Sequence, residues 1–147
     1  MEEEPTTPLR DDSREPAASW HVGLWVAQIM LAVVFGMAGF AKVSSPIPEL
    51  QAQLDWADDV PIWLVRFIGA SELLGAIGLI LPAATRIKPM LTPLAAVGLG
   101  IIMILAGLFH AMRGEFPVIP LNVFFLAVAA FVAWGRLRRV VILDRWG

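Results

Sequence analysis

The chain has 147 residues, 58% of them hydrophobic, a formal net charge of −2 and a mean hydropathy of +0.72. That length suits one domain, and the hydropathy is above the usual globular range, which points to the membrane class. With no cysteine, disulfides, thiol catalysis and thiolate metal sites are excluded, and the small net charge gives no reason to expect a nucleic-acid partner.

Residues 1–19, MEEEPTTPLRDDSREPAAS, are polar, charge-mixed and Pro-containing. They cannot build a core and read as a disordered cytoplasmic tail. They lack the basic start and short apolar region of a secretory signal, so the first span is expected to act as its own uncleaved insertion signal.

Four apolar segments follow, over about residues 20–41, 62–81, 89–112 and 118–135. Each is long enough to cross ~30 Å of hydrocarbon as a helix. Each is apolar on most faces, unlike a surface helix of a soluble protein. The fold class predicted for residues 20–136 is therefore an all-α membrane protein, a four-transmembrane-helix bundle. Pro82 is expected to close the second span, and Pro89, Pro93 and Pro120 to sit in opening turns, where a missing N–H costs little. Trp20, Trp25, Trp63 and Trp134 fall near span ends, where interfacial aromatics belong. Ala32/Gly36, Ser71/Gly75 and Ala96/Gly100 are four-residue pairs of small side chains suited to helix packing in lipid.

Between the first two spans, Ile47, Leu50, Leu54 and Ala57 make a helical stripe among Glu49, Asp55, Asp58 and Asp59. This predicts a short amphipathic helix on the membrane surface or over the bundle mouth. Residues 137–147 form a basic C-terminal tail. Lys and Arg number eight on the side bearing both termini (Arg10, Arg14, Arg86, Lys88, Arg136, Arg138, Arg139, Arg145) and two on the other (Lys42, Arg113). This asymmetry puts both termini in the cytoplasm.

Depth then sorts the polar residues. Lys42, Arg66, His110 and Asn122, one from each span, share the outer part of the bundle. Glu72 lies about 15 Å in from the outer end of its helix, at 1.5 Å per residue, and Gln28 is near mid-depth. A charge at mid-span costs roughly 2.5–3.5 kcal/mol on insertion scales, so such groups face the interior or a wet cavity. Arg66 and Glu72, six residues apart, point about 120° apart and do not make an i,i+4 pair. Each therefore needs partners from other helices: His110, Gln28, Asn122 or a bound group for Glu72, and Glu72, Asp59 or Glu115 for Arg66. Lys42 is expected to snorkel outward, His110 to be a satisfied interior histidine, and His21 to be interfacial. Glu72 and His110 do not form a spaced ligand motif, so no metal is expected. No phosphate loop or nucleophile elbow occurs, and no catalytic residue is assigned.

The stretches FGMAGFAKV (35–43), RFIGASELLGAIGLILP (66–82), HAMRGE (110–115) and PLNVFFLAVAAFVAWGR (120–136) together resemble the DoxX-like family of small four-helix membrane proteins. The resemblance covers about residues 20–136, and IG followed by E and LGA in the second span is its most specific piece. It implies a bundle in a bacterial cytoplasmic membrane. The family is named for a subunit of a thiosulfate:quinone oxidoreductase, and its relatives include membrane subunits linked to redox enzymes. This implies an accessory role beside a separate redox or catalytic subunit rather than a stand-alone enzyme.

Two readings follow. In the first, Lys42, Arg66, His110 and Asn122 meet the head of a quinone-like or other amphipathic ligand in an outward-facing pocket, while Glu72 exchanges a proton. In the second, the polar cluster only fixes helix packing in a structural or assembly protein. Membrane lipid is the expected surroundings in both; four short helices could form a pore only as a homo-oligomer, and the chain shows no repeat pair of broken helices.

Overall fold

The computed structural model of the chain describes residues 15–145. The tail expected over residues 1–19 falls largely outside the described residues, and its last five, 15–19, are already helical. The order of elements is α1 Glu15–Ser44, α2 Ile47–Gln53, α3 Ile62–Thr85, α4 Leu91–Met112, a 3₁₀ turn Phe116–Val118, and α5 Ile119–Arg138. Four helical stretches, Ala18–Ser44, Ile62–Thr85, Leu91–Met112 and Phe116–Arg138, are long and apolar enough to cross a membrane.

The four long helices form a ring in the order α1, α3, α4, α5, with α1 against α3 the most extensive pair and α1 against α5 the thinnest. Neighbours run antiparallel, as in an up-down-up-down bundle. One end holds the end of α1 and the start of α3 and is called the Lys42 end. The other holds the start of α4 and the end of α5 and is called the Arg136 end. Leu31, Phe35, Leu79, Leu99, Met103 and Val132 fill the centre. The outer faces carry Val26, Val33, Phe67, Leu74, Ile101 and Leu105, all exposed. Apolar residues therefore cover both inside and outside, as a lipid solvent requires.

Small residues decide how closely the helices approach. A Cβ on Gly39 would lie 2.6 Å from the Gly69 carbonyl oxygen and 2.9 Å from the Leu73 nitrogen. A Cβ on Gly69 would lie 2.6 Å from Lys42 Cβ. α1 and α3 thus cross backbone to backbone, which only glycine on both sides permits. Of the expected small pairs, Gly36 faces Ala76, Gly75 faces Leu99 and Gly100 faces Leu126, so each serves packing within the bundle.

Pro82 does not close the second span. It is buried inside α3, which runs on to Thr85 and ends with Arg86 in the left-handed region at φ 59°. A proline costs a helix one hydrogen bond to the residue four back. Here only the last turn lies beyond it, and Thr85 Oγ1 holds that turn by donating to the Leu81 carbonyl at 2.8 Å. The amphipathic stripe forms a helix only as far as Gln53. Leu50 and Ala57 are buried against Val65, with Leu54 and Trp56 beside them. The connector therefore folds over the mouth of the bundle at the Lys42 end.

The crossing yields a direct test. Gly39→Ala should destabilise the protein by about 1–3 kcal/mol, because the obstructing atoms are backbone and cannot move aside cheaply. Gly98→Ala should change stability by less than about 0.5 kcal/mol, since nothing lies within 4 Å of a Cβ there. Reversible unfolding of both variants in detergent measures the difference.

Candidate functional site

The close crossing at Gly39 and Gly69 brings Lys42 and Glu72 together. Cβ atoms on a helix tilt toward its N-terminus. On α1 that direction is inward from the Lys42 end, and on the antiparallel α3 it is outward. The two side chains therefore lean toward each other. Lys42 Nζ donates to Glu72 Oε2 at 2.7 Å, with the side chains 12% and 5% exposed. Lys42 does not snorkel outward, because its side chain would have to run against its own tilt and leave an unpaired carboxylate in lipid.

Arg66, one turn into α3, leans outward for the same reason. Its Nη1 donates to the Lys42 carbonyl and its Nη2 to the Ser45 carbonyl, each at 2.7 Å. These carbonyls terminate α1, where helical partners run out. The guanidinium satisfies two of them and places positive charge at the negative end of the helix dipole. Its partners are thus backbone oxygens rather than Glu72, Asp59 or Glu115. Lys42 joins the two arrangements, with its amine on Glu72 and its carbonyl on Arg66.

His110 and Asn122 do not join this set through hydrogen bonds among the described residues. His110 Nδ1 lies 2.5 Å from Glu115 Oε2. Arg113 Nε donates to Glu115 Oε1 at 2.7 Å, and Arg113 Nη1 pairs with Asp59. The guanidinium also sits 5.7 Å from the centre of the Phe109 ring, which meets Trp56 edge-on. This cluster clasps the α2–α3 connector to the turn between α4 and α5. The bonds from His110 and then Arg113 hold the Glu115 carboxyl below its ordinary value. Asn122 is buried near Gly107, and its Nδ2 has no hydrogen-bond partner among the described residues.

Gln28 belongs to a different layer. Fully buried, it donates from Nε2 to the Leu79 carbonyl at 2.5 Å and accepts from Arg136 Nε at 2.6 Å. Arg136 is only 3% exposed. The count of cations on the side of the termini does not distinguish it from a solvated one. It sits at the edge of an apolar run, where position alone cannot separate a buried arginine from a solvated one. One signal was available: Gln28 lies mid-span with no partner on its own helix. Gly135 also admits the α1 side chain Leu24, whose Cδ2 fills the place a Cβ would take, and so draws the end of α5 against α1.

Two outcomes test these assignments. Lys42→Met should cost roughly 3 kcal/mol by stranding Glu72, and the double replacement Lys42→Met with Glu72→Leu should recover most of that loss. A double-mutant cycle of unfolding free energies reads the coupling. The depressed Glu115 carboxyl stabilises the fold above the ordinary carboxylate range and loses that effect as pH falls through its lowered value. The melting difference between wild type and Glu115→Gln should therefore shrink below about pH 4, and a constant gap from pH 7 to 3 would contradict the clasp.

A family model described as the DoxX-like family matches residues 26–132. No curated protein and no solved structure matches the chain. The matched region runs from α1 through α5 and holds the Gly39–Gly69 crossing, the Lys42–Glu72 pair, Arg66, His110 and Asn122. The four membrane-spanning helices and a family match over well over half of the sequence agree: this chain is a multi-pass integral membrane protein belonging to the DoxX-like family.

Proposed function

We propose that this protein is an accessory membrane subunit of the assembly type, whose intramembrane charges hold four helices in register. One observation carries the reading. At the Lys42 end each ionisable group of the bundle already has a protein partner: Lys42 with Glu72, Arg66 with the Lys42 and Ser45 carbonyls, and His110 with Glu115. Breaking any of these to bind a ligand would leave a charge stranded in a low-dielectric interior. A preformed ligand site instead offers convergent polar groups to its ligand. The excess of Lys and Arg beside the termini supports cytoplasmic termini and an outward-facing Lys42 end. The catalytic or redox partner of such a subunit would be a separate chain.

A second reading rests on the Lys42–Glu72 pair itself. A buried ammonium in contact with a buried carboxylate can trade a proton with a quinone-like head group that displaces one of them. Arg66 and Asn122 would then orient the ligand. Thermal unfolding in mild detergent, with and without an added quinone, separates the two. The assembly reading expects Glu72→Gln and Arg66→Ala to lower the melting temperature, with no quinone-dependent shift in wild type. A wild-type stabilisation by quinone that disappears in Glu72→Gln would replace it with the ligand reading.

A further inference from the structure

The Arg136 end carries a buried charge with no counter-charge among the described residues. Arg136 is 3% exposed. Its Nε is engaged by Gln28, but Nη1 and Nη2 are buried and have no hydrogen-bond partner among the described residues. No carboxylate among those residues lies within ion-pair distance of it. The guanidinium sits 5.4 Å from the centre of the Trp25 ring. Ring stacking supplies part of the desolvation cost of a cation but not its counter-charge.

Trp25 also lines a cleft of about 400 Å³ with His21, Arg86 and the segment Val140–Leu143 that follows α5. The cleft therefore lies one indole away from the buried charge. Arg86 adds a second cation, held in the left-handed turn that ends α3. Trp25 Nε1 donates to His21 Nε2 at 3.0 Å, and an imidazole accepting there carries its proton on Nδ1, a further donor. The chain closes the far side by folding back, with the Arg145 amide donating to the Arg86 carbonyl at 2.9 Å. Asp144 adjoins this segment but already has an interaction partner.

We infer that this cleft binds a phosphate group, with Arg86 and His21 at its oxygens and the buried Arg136 charge behind Trp25 drawing the anion in. A guanidinium presents several N–H donors in a fixed fork that matches phosphate oxygens. The site's place at the end of four membrane spans is the level of lipid head groups, and a free phosphate presents the same oxygens. This site is separate from the Lys42–Glu72 pair at the other end of the bundle.

The test uses the full-length protein in mild detergent. Phosphatidylglycerol, a phosphate-free galactosyl diacylglycerol and inorganic phosphate are each titrated in. Native mass spectra and melting curves are recorded for wild type, Arg136→Gln, Arg86→Gln and Arg138→Gln, the last an exposed cation at the same end. Phosphatidylglycerol should be retained and should raise the melting temperature, while the galactolipid does neither. Retention should fall about fivefold in Arg136→Gln and in Arg86→Gln and stay unchanged in Arg138→Gln. Stabilisation by inorganic phosphate alone would make free phosphate a sufficient occupant, and none would make it a lipid head group. Arg86 is exposed, so its variant keeps the fold even where Arg136→Gln does not. Equal retention of both lipids, retention unaltered in Arg86→Gln, or an equal fall in Arg138→Gln would overturn the proposal.

Discussion

The backbone contact between α1 and α3 at Gly39 and Gly69 governs the Lys42 end of this protein. Without it the helices would stand about a side chain further apart, and the 2.7 Å contact between Lys42 and Glu72 would open. Arg66 would likewise fall short of the Lys42 and Ser45 carbonyls that it caps. In lipid, apolar side chains gain little by leaving the solvent for each other. Close packing of small residues brings helices together, and buried polar pairs then fix which residues face which. The glycine crossing and the ion pair are therefore one device, in which the first sets the distance and the second sets the register.

The two ends of the bundle treat buried charge differently. At the Lys42 end, charges from α1 and α3 are matched within the chain, and a second cluster of Asp59, Arg113, Glu115 and His110 ties the connector down over the mouth. At the Arg136 end a guanidinium is buried with one of its three nitrogens hydrogen-bonded among the described residues. An unmatched charge in a low-dielectric region stabilises nothing by itself. Matched charges serve the fold, and the charge unmatched among the described residues is the one the proposed phosphate would answer.

The apolar runs were legible because their length and composition answer to the bilayer, which constrains each helix independently. The position of Glu72 as the deep charge was legible for the same reason, since depth follows from counting residues along one helix. Its partner was not. Lys42 sits at a helix end, where snorkelling and inward pairing look alike along the chain, and only the antiparallel crossing makes the two side chains lean together. From the sequence Arg66 is expected to need an acid, because a sequence displays side-chain charges and hides the carbonyls at the end of a neighbouring helix. Pro82 looks like a stop in the sequence, although a proline one turn from a helix end removes only a single bond.

The sequence by itself therefore determined that this is a four-span bundle, which helix segments cross the membrane, and that polar groups such as Gln28 and Glu72 must turn inward. These follow from transfer free energies, which act residue by residue. Only the tertiary structure decided that the six polar candidates divide among separate sets at two ends, that Lys42 rather than His110 meets Glu72, and that Arg136 belongs to the interior. Those outcomes depend on the rotation and spacing of helices about one another, and two glycines thirty residues apart in the chain set the closest of those spacings.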